Sequence, residues 1–315
     1  MKEPIFLAPI FQERIWGGTK LRTEFNYQID SDITGECWAV SAHPNGQSTV
    51  KGGPFEGKTL GSLWAEQREL FGNLEGDTFP LLTKILDANN DLSVQVHPND
   101  EYANRNENGE LGKTECWYVI DAEEGAEIIY GHNATSKELL IEMVEQGKWN
   151  DLLRRVKVKS GDFFYVPSGT IHALCSGVLI LETQQSSDTT YRVYDYDRVD
   201  KEGQKRELHI EKSIDVTTVP HTDASTSPTT TQVGEATVTA FVQGEYFSVY
   251  KWEVAGAASF TQDKPFLIGS VLDGEGELVT EAGTFNLTKG DHFILPANMG
   301  AYEVNGHAQL IVSHT

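Results

Sequence analysis

The sequence predicts a mainly β fold made of two copies of one β unit, with a few helices in and before the first copy. Three observations carry this. Short apolar or alternating runs recur along the chain, separated by Gly, Pro, Asn and Asp, the punctuation of strands joined by turns. Stretches with helical spacing are few. The chain also repeats itself: Gly161-Asp-Phe-Phe-Tyr-Val-Pro167 and Gly290-Asp-His-Phe-Ile-Leu-Pro296 match in spacing and character. Many short strands with few helices indicate a sandwich or barrel.

Taken in order, Trp16-Gly-Gly-Thr-Lys-Leu reads as a turn opening a short helix, and Gly35 to Ser41 alternates as a strand does. Leu60, Leu63, Trp64, Leu70 and Phe71 recur at roughly helical spacing. From Pro80 the chain is strand-rich through Val96. The polar Asn99 to Gly112 stretch reads as a loop, placed to act as a lid. Ser136 to Arg155 is the clearest helix: Ser136, Glu138 and Glu142 open it, Leu139, Leu140, Met143 and Val144 form the apolar stripe, and Gly147 is placed to interrupt it before Trp149. Residues 221–235 are rich in Thr and Ser and read as a connector. Gly274-Glu-Gly276 supplies a turn in the second copy. In the register of the repeat, the partner of His172 is Ala301, so only the first copy carries the metal-binding side chains. The expected division is a catalytic, metal-binding unit with helical additions over 1–220, the connector, and a degenerate C-terminal β unit over 236–315.

At 315 residues, 39% of them hydrophobic, the chain can bury a sizeable core. It has no apolar run of about 18 residues, and Met1-Lys-Glu-Pro-Ile-Phe lacks the pattern of a signal peptide. Its three cysteines, Cys37, Cys116 and Cys175, are widely spaced, which predicts a reducing, cytoplasmic setting without a disulfide framework. A formal charge of −22 argues against nucleic acid or an anionic membrane as partner. A phosphorylated substrate would need a local basic cluster. The sequence sets no oligomeric state, and a monomer accords with it.

The candidate site begins at Gly161 to His172, where a glycine turn, a short strand and a Pro-x-Gly turn fix one imidazole. In Leu92-Ser-Val-Gln95-Val-His97-Pro98, Gln95 and His97 are two residues apart and share a strand face. Lys113-Thr-Glu115 brings a carboxylate to the mouth of an apolar run. Gln95, His97, Glu115 and His172 form a mixed nitrogen and oxygen set suited to zinc or a similar divalent ion. Each has a plain structural alternative on its own; their conjunction at strand positions is the signal. His43, His132, His209 and His292 lack comparable context and read as structural. Glu182 is a carboxylate near these strands, and Lys113 shares the face of Glu115. Arg192 is a permanent cation suited to phosphate or a developing oxyanion. Arg192 and Arg198 could equally pair with Asp195 and Asp197.

These motifs, with Trp16-Gly, Gly35-Glu36-x-Trp38 and the Asp188 to Arg192 segment, occur in the same order in class I mannose-6-phosphate isomerases. The chain resembles the short, bacillus-type members over nearly its whole length. The resemblance implies two cupin-like jelly-roll units and one zinc ion per chain. It implies interconversion of mannose 6-phosphate and fructose 6-phosphate by proton transfer through an enediol. Carried over by position, Gln95, His97, Glu115 and His172 would be the ligands, and Arg192 the catalytic arginine. Lys113 and Glu182 would line the sugar site as candidate proton carriers. Trp16, Ser93, Asp188 and Arg198 are the expected substrate-binding residues, with Arg198, Lys113 and Ser93 the candidates for the phosphate. The helical insertion of longer relatives is reduced here to about one helix. Two rival readings remain open at this point: another metal cupin, an Fe or Mn sugar-phosphate isomerase or an oxygenase, and a non-catalytic sugar-phosphate binding protein.

Overall fold

Strands form where the sequence alternates or runs apolar. The computed structural model describes residues 1–199 and 203–315. Its first part holds β1 (Ile5–Ala8), β2 (Ile10–Gly18), α1 (Lys20–Phe25), β3 (Thr34–Val40), β4 (Thr49–Val50), α2 (Leu60–Glu66), β5 (Leu81–Ala88) and β6 (Val94–Val96). There follow α3 (Asp100–Asn106), β7 (Glu115–Ala122), β8 (Glu127–His132), α4 (Lys137–Glu145), α5 (Trp149–Leu152), β9 (Leu153–Lys157), β10 (Phe163–Val166) and β11 (His172–Leu174). Then come β12 (Val178–Gln185), β13 (Tyr191–Tyr194) and α6 (Ile210–Val216). The C-terminal part is all strand: β14 (Thr229–Val233), β15 (Ala236–Gln243), β16 (Ser248–Gln262), β17 (Phe266–Thr280), β18 (Gly283–Thr288), β19 (His292–Pro296) and β20 (Gly300–His314).

The strands build three antiparallel sheets. One has the order β10-β7-β12-β5-β3-β2, a second β13-β6-β11-β8-β9, and the third β14-β15-β16-β20-β17-β19-β1-β4, with β18 on β17. The first two face each other. Their shared core takes Leu86, Trp117, Val119 and Ile180 from one sheet and Ile128, Tyr130 and Leu174 from the other. Alternation then sends Cys37, Ile85, Cys116, Tyr118 and Leu181 to the opposite face of the six-stranded sheet. There they pack against α2, against Phe247 just before β16, and against Phe266, Ile268 and Ile311 of the third sheet. The free face of the five-stranded sheet is covered by Leu140, Met143 and Leu152 of α4 and α5. Because β1 and β4 pair into the third sheet, N-terminal residues complete the C-terminal unit.

The expected mainly β fold with few helices is met; four local readings are revised. Asn99 to Gly112 is not all loop: the Asn99 side chain caps α3 by accepting from the Tyr102 amide at 2.9 Å, with Asp100 and Glu101 in the first turn. Ser136 does cap α4, accepting from the Leu139 amide, but the helix stops before Gly147 and strand β9 has begun by Leu153. Gly274 to Gly276 is no chain reversal but lies inside β17. A Cβ on Gly276 would sit 2.4 Å from the Asn305 carbonyl oxygen, so the glycine permits close approach of β20. The 221–235 segment contains an edge strand, β14, paired with β15. Among the described residues no helix is long and apolar enough to cross a membrane.

Candidate active site

The two facing sheets aim their polar residues into the space between them. Glu115, at the start of β7, shares the inward face of Trp117. Gln95 of β6 pairs in register with His172 of β11 on one side and Arg192 of β13 on the other. Directly opposed residues project to the same face, so His172, Gln95 and Arg192 form a row. A cavity of about 310 Å³ opens over this row, lined by Trp16, Ser93, Gln95, Lys113, Glu182, Asp188 and Arg192 together with Arg14, Glu36, Lys84 and Arg206.

His97, Glu115 and His172 lie behind the lining residues Gln95 and Lys113, which contact them, each about 1% exposed or less, so a charge here must be matched locally. The His97 Nδ1–H donates to the Thr189 carbonyl at 2.8 Å, and the His172 Nδ1–H to that of Thr170 at 2.8 Å. A carbonyl can only accept, so both rings present bare Nε2 lone pairs. These are 3.2 Å apart. The Glu115 oxygens lie 3.4 Å from His97 Nε2 and 3.3 Å from His172 Nε2, and Glu115 Oε1 has no hydrogen-bond partner. Bonds of about 2.0–2.2 Å to a tetrahedral ion place its ligand atoms about 3.3–3.6 Å apart, so the set fits a divalent metal. Gln95 turns its Nε2 towards His172 Nε2 at 3.3 Å; ligation would use the amide oxygen, a flip that leaves the backbone in place.

Charges around this cluster are strongly coupled. Lys113 donates to Glu115 at 2.5 Å and stands 3.1 Å from His97 Nε2 and 3.7 Å from Glu182. Burial alone would depress the Lys113 ammonium, yet Glu115 and Glu182 raise it above its usual range. Burial opposes ionisation of Glu115, but the Lys113 cation beside it holds it well below the usual carboxylate range. His97 is pushed down to about 3 by burial and by Lys113, and His172 is lowered mainly by burial, so both rings stay neutral. Glu182 is pushed up to about 7 by burial and the Glu115 charge, against the pull of Lys113 and Lys84. Trp117 donates to its Oε2 at 3.0 Å.

Of the expected site residues, only Arg198 is absent from both the cavity lining and the metal-type cluster behind it. Its guanidinium binds the Asp91 carbonyl and the Asp195 carboxylate instead. The anticipated pairing with Asp195 therefore forms, whereas Asp197 pairs with Lys205. His43, His132, His209 and His292 serve packing and bonding; His292, for example, bonds Tyr27 and Ser270 at 2.8 Å each. Three contributors escaped the reading of the sequence. Lys84, 4% exposed, sits over the Trp38 ring and 3.9 Å from Asp188. Arg14 forks onto Glu36, which also accepts from the Trp38 indole at 2.6 Å. Arg206 is the third. A lysine within Leu81-Leu-Thr-Lys84-Ile-Leu was a usable signal, because strands this apolar rarely carry a charge without a role.

Residues 5–120 match the family described as phosphomannose isomerase type I, catalytic domain, and residues 237–315 that described as mannose-6-phosphate isomerase, cupin domain. The chain is 59% identical over 312 residues to the mannose-6-phosphate isomerase ManA of Bacillus subtilis, covering 99% of each chain. It is 54% identical over 315 residues to the mannose-6-phosphate isomerase of Streptococcus mutans, covering all of this chain and 99% of that one. The crystal structure of a Bacillus subtilis mannose 6-phosphate isomerase superposes with a TM-score of 0.98 at 60% identity, over 99% of both chains. A point mutant of the Salmonella typhimurium phosphomannose isomerase shares the fold, with a TM-score of 0.80 at 16% identity over 99% of this chain and all of that one.

Proposed function

This chain belongs to the type I phosphomannose isomerase family, and from that premise we propose that it interconverts mannose 6-phosphate and fructose 6-phosphate at a zinc ion. The ligands in this reading are His97, Glu115 and His172, with Gln95 as the fourth. The observation that carries it is the buried, neutral imidazole pair beside the unpartnered Glu115 oxygen, opening to a cavity with Lys113, Glu182 and Arg192 on its walls. Zinc, when bound, supplies a Lewis acid for the substrate oxygens.

The residues of the chain supply the rest. Isomerisation moves a proton between C1 and C2, and negative charge develops on the sugar oxygens. Arg192, in register beside Gln95, is the fixed cation for that charge. Lys113 sits between Glu115 and Glu182 and stays an ammonium, so it donates rather than abstracts. Glu182 is the carboxyl on the cavity wall that burial and Glu115 push up to about 7, poised to take and return a proton, and it carries the proton from one carbon to the other. Trp16, Ser93 and Asp188 bound the sugar; Lys84 and Asn45 hold Asp188 ionised against its burial.

In this reading residues 1–220 form the catalytic unit, residues 221–235 link it onward, and 236–315 form a supporting β unit without a metal set. The three cysteines are buried free thiols, which suits a cytoplasmic setting. Metal analysis of the purified protein, with turnover measured in air and under anaerobic conditions, tests the assignment. About one zinc per chain and oxygen-independent isomerisation are expected; dioxygen consumption would reverse it.

A further inference from the structure

Four inward-facing residues stand in register across the six-stranded sheet. Glu182 of β12 opposes Trp117 of β7 on one side and Lys84 of β5 on the other, and Lys84 in turn opposes Trp38 of β3. Opposed residues project to one face, so the row places a carboxylate between an indole and an ammonium. All four are 4% exposed or less. A second ammonium, that of Lys113, stands 3.7 Å from Glu182 Oε1. A buried carboxylate beside two ammonium groups is expected to close on one of them, to the roughly 2.7–2.9 Å of a charge-assisted hydrogen bond. Glu182 makes that bond with neither. Lys113 gives its short contact to Glu115, at 2.5 Å. Lys84 lies over the Trp38 ring, and among the described residues Asp188 is its one carboxylate within 4.0 Å. The bond Glu182 does make is to Trp117, whose Nε1–H donates to Oε2 at 3.0 Å. That ring is itself held: it meets the His172 imidazole at 72° with centroids 5.4 Å apart, and it packs into the core shared by the two sheets. An indole is a donor only and carries no charge, so it can fix a carboxylate without taking its proton or cancelling its charge.

Resting on the isomerase reading, we propose that Trp117 is the positioning residue of the proton carrier. It anchors Oε2 of Glu182 and so keeps Oε1 out of an ion pair with Lys113, leaving that oxygen at the cavity wall for the proton. The same ring lies against His172, so the place of the carrier is tied to the residue opposite Gln95. Without the anchor the carboxylate moves about 1 Å onto Lys113, a buried pair that no longer exchanges a proton with the sugar.

The test uses the full-length, zinc-loaded protein. Trp117→Phe keeps an apolar ring beside His172 and removes the donor. With mannose 6-phosphate its kcat is expected to fall about 10- to 100-fold, the cost of misplacing a reacting group by about 1 Å, while KM changes less than about twofold and the zinc content is unchanged. Its crystal structure should show Glu182 Oε1 drawn in from 3.7 Å to about 2.8 Å from Lys113 Nζ. A purely structural tryptophan would lower the melting temperature and leave the kcat of the folded enzyme as it was. A folded Trp117→Phe protein with wild-type kcat, or with Glu182 unmoved in its crystal structure, would overturn the proposal. If this variant does not fold, the indole N–H resonances of the wild type decide. One of the six tryptophans should give a downfield signal that moves upfield in Glu182→Gln, and indole signals identical in the two proteins would reject the anchor. A wild type that turns over no mannose 6-phosphate would defeat the isomerase reading alone, and the crystal structure and the resonances would still decide what Trp117 holds.

Discussion

His97 and His172 point their Nε2 lone pairs at each other across 3.2 Å, each ring locked in that state by a carbonyl accepting from its Nδ1–H. Two acceptors facing at this distance repel unless a cation stands between them. Lys113 and the Gln95 amide relieve the strain partly from the sides; a divalent ion would relieve it fully. The architecture spends its most buried polar positions on an arrangement that makes sense with metal bound.

Glu115→Gln should therefore remove the one charged ligand while keeping its shape. Zinc affinity is expected to fall by at least about 100-fold, read by competition with a chromophoric chelator. The metal-depleted wild type should also melt several degrees lower than the loaded protein, because an ion that binds only the folded state stabilises it.

Arg192→Ala separates metal binding from charge stabilisation. Turnover is expected to drop by about 10²- to 10³-fold, with zinc content unchanged by elemental analysis. Loss of zinc from this variant would contradict the placement of Arg192 opposite the metal set.

Glu182 must be ionised to accept a proton, and its carboxyl is pushed up to about 7 by burial and by Glu115, against Lys113 and Lys84. The sign follows directly: kcat falls as pH drops below the Glu182 pKa. Zinc bound at Glu115 offsets the charge that raises it, so the acid limb should lie at or below pH of about 7 in the loaded enzyme. Glu182→Gln should abolish most activity. A normal acid limb in an active Glu182→Gln enzyme would assign the proton to another group.

Gly169 ties a turn to the His97 and His172 pair. Its φ is +84°, a Cβ there would meet Thr218 Oγ1 at 2.5 Å and the Val216 carbonyl at 2.9 Å, and its amide donates to the His97 carbonyl at 2.8 Å. The next residue, Thr170, supplies the carbonyl that orients His172. Gly169→Ala is expected to cost about 1–3 kcal/mol of stability and to weaken zinc binding as well, both measurable by denaturant melts with and without metal.

Much of this was legible in the chain, for stated reasons. Turn residues bracketing His172 and period-two spacing in Gln95-x-His97 declare a face before any coordinates exist. Arg206 was passed over in favour of Arg198, because nothing in the sequence says which of the two lines the cavity. The helix at 100–106 was hidden in a polar stretch whose Asn99 cap is visible only once its sequel is read as helical. The glycines of β17 looked like a turn because sequence alone does not separate a reversal from a close strand crossing.

The most direct test of the central claim is a coupled assay of fructose 6-phosphate formation from mannose 6-phosphate, run before chelation, after chelation and after zinc is restored. The account predicts activity that disappears with the chelator and returns with about one equivalent of zinc. Full activity in the demonstrably metal-free protein, or none in a chain carrying its full zinc, would contradict it.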